Sequence, residues 1–373
     1  SKQKLLYVDS IYYLAFTSST NDLHTVYFTT STNGADGTWS EPQVFDEDVV
    51  IALGSSGLVR MFDFEYNESG GYFALAYNPT STYRVDFSTS SNVSTWSVTT
   101  TAESSSAGTS FDLAFSGDTV LLAYKNSGEN THILSIVTST DGGSTWGSEV
   151  NVVTRDITSS DGSSAVLGAQ IGSDGSFHVL FESAASGTEA LPHQMIYASS
   201  TNAGATWSTT TIAEETGLDA FTFEMGSLSL DSDNNPGVLY MQLDDIACPS
   251  SCNVTTTFKL AKRASDFTWS TSTINSSLAS SGVSANPKNI QLLFPNNTDY
   301  PLAFYCGADY NPVWSVSTTT DPYLFNNTTV SSTDVAVNTS MGLAYNTSSE
   351  YVAMTYIASG GQLVFATSAL SLP

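Results

Sequence analysis

The chain has 373 residues, with 10 Lys and Arg against 36 Asp and Glu, so its formal net charge is −26. A chain this acidic repels phosphate backbones and anionic lipid, which argues against nucleic acid and membrane surfaces as partners. Apolar residues make up 40% of the chain, which excludes disorder and allows a large core. Ser and Thr number 106 while the usual exposed helix formers are scarce, so the composition favours strands. We expect no membrane-spanning helix, because no apolar run approaches 18 residues.

A hairpin pattern recurs seven times from the beginning of the chain to its end. Each copy is an apolar run, a polar turn and an alternating run that ends in an aromatic residue, beginning with the copy Leu5–Phe16. The closing aromatics are spaced 47 to 65 residues apart: Phe16, Tyr77, Tyr124, Phe181, Tyr240, Tyr305 and Tyr356. Each copy therefore predicts the first two strands of one repeated unit.

A second motif follows each hairpin and predicts two more strands. It is a strand, a Ser/Thr-rich turn, then usually Thr-Trp and another strand, with the aromatic at Trp39, Trp96, Trp146, Trp207, Trp269 and Phe325. The seventh copy ends near Leu370, before a fourth strand. The repeats are approximately 5–48, 58–103, 108–154, 163–214, 220–277, 284–332 and 334–373. This pattern predicts an all-β, seven-bladed β-propeller of four-stranded antiparallel blades, one domain over residues 1–373, with the last blade apparently incomplete.

One of these turns has a recognisable spacing. Its form S-x-D-x-G-x-T-W is complete in repeat three and has Asn for Asp in repeat four; the residues are Ser139, Asp141, Gly143, Thr145 and Trp146, then Ser200, Asn202, Gly204, Thr206 and Trp207. The turn resembles the Asp-box, or bacterial neuraminidase repeat, of sialidase-like β-propellers. The resemblance implies a structural turn on the face opposite the active site. The acid would bond backbone amides of its own turn, the glycine would supply an unusual backbone conformation, and the indole would pack between blades.

The resemblance also implies what a sialidase would need. Such enzymes hold the substrate carboxylate with three arginines and use a Tyr nucleophile with a Glu partner and an Asp acid/base. This chain has only Arg60, Arg84, Arg155 and Arg263, and Met61 follows Arg60 where an Arg-Ile-Pro signature is expected. We therefore predict no sialidase and assign no catalytic residue.

A glycosidase with two carboxylates stays open, because several acids fall in the connections between second and third strands and between blades. They are Asp156, Asp161, Glu182, Glu189, Asp219, Asp244, Asp245 and Asp309. His132 and His193 begin the third strands of successive repeats, which indicates structural repetition and not a metal site. We predict no cofactor; calcium at the turns 172–175 and 231–236 is a weak alternative, because each turn offers too few oxygen ligands.

Cysteines and sequons indicate an oxidising compartment. Cys248 and Cys252 are predicted to form a small local disulfide, and Cys306 to be a buried small hydrophobe. Nine Asn-X-Ser/Thr sequons predict N-glycosylation at Asn67, Asn92, Asn253, Asn275, Asn296, Asn326, Asn327, Asn338 and Asn346. The chain is thus expected to be secreted, at the cell surface or extracellular.

Two functions follow from these features. The first is a non-enzymatic, glycosylated structural or adhesive subunit of a cell surface, matrix or appendage. The incomplete last blade has three explanations: residues beyond the given ends, a three-stranded blade, or a strand donated by another molecule. The third would let the subunit assemble by strand exchange into a homo-oligomer or polymer. Its partners would be other protein subunits or glycans. The alternative is a glycoside hydrolase or a glycan-binding lectin on the same scaffold.

Overall fold

The structure is a computed structural model of the whole chain. It describes residues 3–20, 23–35, 37–45, 62–79, 84–103, 107–128, 131–156, 163–184, 192–215, 226–245, 254–279, 290–295, 298–306, 312–317, 325–329, 341–346, 351–358 and 362–369. Within these ranges no helix is long and apolar enough to cross a membrane.

Twenty-seven strands of the described residues form seven sheets, numbered here as blades 1 to 7. Blades 1 and 2 are β1 Gln3–Val8, β2 Ile11–Thr20, β3 Leu23–Ser31 and β4 Gln43–Val44, then β5 Phe62–Asn67, β6 Tyr72–Tyr77, β7 Val85–Ser90 and β8 Ser97–Glu103. Blades 3 and 4 are β9 Ala107–Ser116, β10 Thr119–Gly128, β11 Thr131–Ser139 and β12 Val150–Asp156, then β13 Ser163–Ile171, β14 Phe177–Ala184, β15 His193–Ser200 and β16 Ser208–Glu215.

The remaining strands follow the same order. Blades 5 and 6 are β17 Gly226–Leu230, β18 Pro236–Asp245, β19 Val254–Arg263 and β20 Trp269–Ala279, then β21 Ile290–Leu293, β22 Leu302–Cys306, β23 Pro312–Ser317 and β24 Phe325–Thr329. Blade 7 is β25 Gly342–Asn346, β26 Tyr351–Ile357 and β27 Leu363–Ala369. Every sheet is an antiparallel meander in chain order, with four strands in blades 1 to 6 and three described strands in blade 7. The predicted seven-bladed β-propeller is confirmed.

The core consists of layers between adjacent blades, because both faces of each middle strand are buried. On β10, Leu122 and Tyr124 pack towards blade 2, while Leu121 and Ala123 pack towards blade 4. The closing aromatic of the hairpin pattern, Tyr124 in this blade, is one of the largest fully buried side chains. Continuous apolar runs in the second strands are therefore explained by burial on two sides.

Polar side chains join the first strands of successive blades around the centre. The Asp63 carboxylate accepts from Leu113 N at 2.9 Å, and the Asp112 carboxylate accepts from Ala169 N at 2.6 Å. Ser227 Oγ accepts from Leu292 N at 3.0 Å at the equivalent place between blades 5 and 6. These residues occupy the same register position in their blades, so one position of the repeat links each of these three blades to the next.

Blade 1 packs directly on blade 7 and closes the ring. Gln3 Nε2 donates to Thr355 O at 3.2 Å. The Phe365 ring of β27 lies 5.1 Å from the Tyr12 ring and 5.5 Å from the Trp39 ring, both in edge-to-face geometry. Among the described residues the closure is thus made by side-chain packing between two separate sheets and not by a shared sheet.

The turn that resembles the Asp-box is closed by its own side chains. The Asp141 carboxylate accepts from Thr145 N at 2.8 Å and from Thr145 Oγ1 at 2.6 Å, and these bonds lower the pKa of Asp141 to about 2. Ser139 Oγ accepts from Gly143 N at 2.8 Å. Gly143 has φ +86°, and a Cβ there would lie 2.2 Å from the Phe87 ring of the preceding blade. The turn needs glycine at this position for its backbone conformation and for the close approach of blade 2.

Candidate functional site

Three basic residues lie on neighbouring strands at one end of blade 3. We call this the upper end of the propeller: it holds the connections from second to third strands and from blade to blade, and the turn at Asp141 lies at the lower end. Lys125 is near the end of β10, His132 is the second residue of β11, and Arg155 is near the end of β12. In a chain with 10 Lys and Arg, three basic residues on neighbouring strands form an unusual concentration.

The strand register places these residues on the same face of the sheet. His132 pairs with Arg155, and Lys125 pairs with Leu134, two residues along β11 from His132. Side chains two apart on a strand share a face, so all three project towards blade 4. A bulge between Leu134 and Ser135 brings Arg155 into this register. We call Lys125, His132 and Arg155 the basic cluster.

Blade 4 holds two members of the basic cluster through one residue of β14. Arg155 Nη1 donates to Ser183 O at 2.8 Å and to Ser183 Oγ at 3.0 Å, and Arg155 Nη2 donates to Pro192 O. Ser183 Oγ also lies 3.0 Å from His132 Nδ1. Ser183 therefore links the imidazole of His132 to the guanidinium of Arg155, and the tautomer of His132 decides which atom of the Ser183–His132 bond donates.

Lys125 differs from the other two members. Its ammonium has no ionic or hydrogen-bonding partner among the described residues, and burial lowers its pKa. Burial also lowers the pKa of Arg155, which the nearby Glu214 carboxylate partly offsets. An arginine stays protonated despite such a shift, whereas a lowered pKa makes a lysine easier to deprotonate than it is in water. The cluster therefore combines a permanent cation with an amine able to take up a proton.

Carboxylates are few around the basic cluster. Glu214 on β16 accepts from Gln194 Nε2 at 2.6 Å. Glu182 is buried on the opposite face of β14, towards blade 5. The side chains of Asp156, Asp244 and Asp245 are not described, and the other predicted acids, Asp161, Glu189, Asp219 and Asp309, lie outside the described residues. No two of the predicted acids are seen side by side in the described part of the chain.

The equivalent positions of blade 4 carry the opposite charge. His193 corresponds to His132, as the sequence analysis expects of repeated positions. Glu182 follows the closing aromatic as Lys125 does, and Glu215 pairs with His193 as Arg155 pairs with His132. The repeat architecture thus requires neither charge, and the basic cluster is a feature of blade 3 alone among these two blades.

The predicted cysteines and sequons fall largely outside what is described. Cys248 and Cys252 lie outside the described residues, and so do Asn253, Asn296 and Asn338; the side chains of Cys306, Asn275, Asn326 and Asn346 are not described. Asn92 and Asn327 are exposed. Asn67 is 1% exposed, and its Nδ2 donates to Gly117 O of blade 3 at 2.9 Å.

The described side chains form no metal-ion site. No three His, Cys, Asp or Glu residues come together within the described ranges. The turns weighed for calcium are held by hydrogen bonds: Asp174 accepts from Ser176, while Asp231 accepts from Asn235 N at 2.8 Å and pairs with Lys262 at 2.8 Å.

Comparison with known proteins adds structural neighbours. No known family and no curated protein matches the chain. An ulvan lyase of polysaccharide lyase family PL25 is 12% identical with a TM-score of 0.63, covering 99% of this chain and 91% of its own. The polysaccharide lyase Uly1 is 9% identical with a TM-score of 0.61, covering 98% and 88%, and an α-L-arabinanase of Penicillium chrysogenum is 9% identical with a TM-score of 0.53, covering 87% and 95%.

These likenesses are in fold. The neighbours are seven-bladed propellers that act on glycans, so the chain has the fold of that broad group. The sialidase-like resemblance of the turns stays a prediction.

Proposed function

We propose that this protein binds an acidic polysaccharide at the upper end of the junction between blades 3 and 4 and cleaves it. The observation that carries the proposal is the basic cluster, in which a half-buried lysine without a partner among the described residues shares a sheet face with an anchored arginine. The lyases among the structural neighbours support an acidic substrate, since one of them is described with a GlcA–Rha3S oligosaccharide bound. This supports the glycan alternative of the sequence analysis over the structural subunit.

The chemistry that suits the cluster is β-elimination next to a uronate carboxylate. Arg155 would pair with the carboxylate and stabilise the negative charge that develops when the adjacent carbon loses its proton. The neutral Lys125 amine would accept that proton. The C–H electron pair then forms the C4–C5 double bond, the C4–O bond breaks, and the departing oxygen takes a proton to become a free hydroxyl.

The ratio of bases to acids separates this reaction from glycoside hydrolysis. A hydrolase of the usual type needs two carboxyl groups on either side of the scissile bond. Within the described part of the cluster only Glu214 is a carboxylate, against three basic side chains. The net charge of −26 does not exclude an acidic ligand, because repulsion from distant charges is screened beyond about 8 Å at physiological ionic strength.

The test is cleavage of a panel of acidic polysaccharides: ulvan, polygalacturonate and alginate, with arabinan as the neutral comparison. We expect ultraviolet-absorbing unsaturated ends from at least one acidic member. Lys125→Gln should lower kcat by about 100-fold or more. Lys259→Gln is the matched control, because Lys259 is a partly buried lysine of blade 5 bonded to Gln242. Cleavage without unsaturated ends, no cleavage of any member, or an active Lys125→Gln protein would contradict the proposal.

The structural subunit is retained as a second candidate because blade 7 has three described strands. An open edge at β27 would accept a strand from another copy of the chain. Secretion, N-glycosylation and assembly through glycan or protein partners belong to this proposal too. Size-exclusion chromatography of the secreted protein tests it: a monomer at all concentrations would contradict strand exchange.

A further inference from the structure

Phe267 stands out at the lower end of the propeller. It lies in the turn between β19 and β20, where Asp266 Oδ1 accepts from Thr268 N at 3.0 Å and from Thr268 Oγ1 at 2.6 Å. The ring is 72% exposed, more than any other exposed large hydrophobic side chain of the described residues. A phenylalanine so exposed gains little from the hydrophobic effect, so the fold alone does not account for it.

Its backbone is also strained, with φ +68°. The equivalent turns of blades 3 and 4 use Gly143 and Gly204 for positive φ, which costs glycine nothing. Val93 is the other bulky residue at positive φ in such a turn, at +56°, but it is only 6% exposed and packs in the core between blades 1 and 2. Burial of the Val93 side chain offsets the cost of its backbone strain, whereas the Phe267 side chain is exposed and offers no such offset. An uncompensated strained residue points to a function for its side chain.

An arginine is held beneath this ring. The Arg263 guanidinium lies 5.1 Å from the Phe267 ring centroid and 5.2 Å from the Tyr197 ring centroid of blade 4, so it contacts both aromatic side chains. Within the described residues its N–H groups have no hydrogen-bond acceptor or carboxylate partner, and Nε is buried. The lower end therefore presents an exposed aromatic face beside a fixed cation with free donors.

We infer that Phe267 and Arg263 form a second binding site for an acidic polysaccharide, distant from the basic cluster. The apolar C–H face of a pyranose ring would pack on Phe267, and a uronate carboxylate or sulfate of the same or the adjoining sugar would pair with Arg263. The site would hold the polymer while the upper end cleaves it. This inference takes its ligand class from the proposed function.

The surroundings favour a sugar over a protein partner. A protein interface has an apolar core of several side chains, whereas the other exposed residues of this turn are Ala264, which carries only a methyl group, and the polar Ser265, Asp266 and Thr268. One aromatic ring among hydroxyls matches the size of one sugar face. Asp266 Oδ1 accepts both turn bonds from Thr268, and within the described residues Asp266 forms no ion pair with Arg263.

The test uses native affinity electrophoresis of the full chain in gels containing ulvan, polygalacturonate or alginate, with arabinan as the neutral comparison. The backgrounds are wild type and Lys125→Gln, so that cleavage does not remove the ligand. We expect retardation by an acidic polymer that Phe267→Gly and Arg263→Gln each weaken by about 5-fold or more. Phe267→Gly should fold at least as well as wild type, because glycine relieves the strain at positive φ. Val150→Ser is the matched control, since Val150 is another exposed apolar residue of the lower end.

Each outcome bears on the inference. Retardation that Phe267→Gly and Arg263→Gln leave unchanged, retardation that Val150→Ser weakens equally, or no retardation by any acidic polymer would overturn it. Failure of the proposed function is seen separately, in cleavage of short acidic oligosaccharides in solution. Those substrates should be cleaved equally well by wild type and Phe267→Gly, because they do not need the second site.

Discussion

Blades 3 and 4 have the same strand order and equivalent histidines, yet their upper ends carry opposite charges. Lys125 and Arg155 flank His132 in blade 3, while Glu182 and Glu215 occupy the matching positions around His193 in blade 4. The closing aromatics beneath them, Tyr124 and Phe181, are both fully buried. The fold therefore fixes the positions of these strands and leaves the residues at their upper ends free to vary, which is where chemistry can be placed.

The lower ends of the two blades differ in another way. At the beginning of β14 in blade 4, Ser176 Oγ lies 2.6 Å from His178 Nε2, and His178 Nδ1 lies 2.5 Å from Tyr197 OH. The position of His178 is taken in blade 3 by Leu121, which packs in an apolar layer. Both nitrogens of His178 are thus used inside the protein, so this histidine serves structure. Substitutions at the lower ends of blades 3 and 4, away from Phe267 and Arg263, should change stability and leave cleavage by the folded protein intact.

The largest effect on stability is expected from Gly143→Ala in blade 3. A Cβ there meets the Phe87 ring at 2.2 Å, and the residue has φ +86°, so overpacking adds to backbone strain. We expect a loss of about 3 kcal/mol in the free energy of unfolding. Gly204→Ala is the matched change in blade 4: φ is +84°, but the nearest atom lies at 3.4 Å, so about 1 kcal/mol of strain is expected. Urea unfolding of both variants measures the difference, and equal losses would refute the role given to the Phe87 contact.

The next effect is a pH dependence that belongs to blade 4. Burial lowers the pKa of His178 from 6.5 to about 4; the positive charge of Arg263 adds to the shift and Asp174 opposes it. Between about pH 6.5 and about pH 4, His178 therefore binds a proton in the unfolded chain but stays neutral in the folded protein. Stability from this group is fully present above pH 6.5, falls as the pH drops from 6.5 towards 4, and is level below 4. The largest possible contribution is about 3 kcal/mol.

His178→Gln removes this titration and keeps polar atoms at the site. Thermal unfolding of wild type and variant between pH 7.5 and pH 4 is the measurement. The other titratable neighbours, Asp174 and Tyr197, have pKa values displaced away from this window, to lower and to higher pH respectively. The variant should lose much less stability on acidification than wild type. An unchanged slope would mean that His178 is not held neutral by its surroundings.

The blades could be predicted from the sequence because their motifs repeat. The basic cluster could not be predicted, because its three residues do not recur as a motif in the other blades. The closing aromatics and the turn before Trp146 recur at blade spacing, so strand number and order followed from them. The hydrogen bonds between first strands of successive blades come from Asp63, Asp112 and Ser227 at one register position. Because the residue type at that position changes, the repetition is not visible in the sequence. The basic cluster was missed for a second reason: a bulge at Leu134 shifts the pairing by one residue, so counting from the turn places Thr154 and not Arg155 beside His132. Aligning Lys125 with Glu182 would have revealed the change of charge.

The smallest effect is expected at the junction of blades 2 and 3, where a substitution of Asn67 should leave the glycosylation of the protein unchanged. The sequence predicts glycosylation equally at Asn67 and Asn92, but their side-chain amides form hydrogen bonds through different atoms. Asn67 uses Nδ2, the atom that would carry the glycan, to donate to Gly117 O, and it is buried. Asn92 uses Oδ1 to accept from Thr95 N at 3.2 Å, which leaves its exposed Nδ2 available. A glycan on Nδ2 would have to occupy the buried contact between Asn67 and blade 3, so the folded protein should be unmodified there. Glycopeptide mass spectrometry of protein secreted by a eukaryotic host should find Asn92 occupied and Asn67 empty, and Asn67→Gln should leave the total glycan mass unchanged; an occupied Asn67 in folded protein would contradict the packing of blade 2 on blade 3.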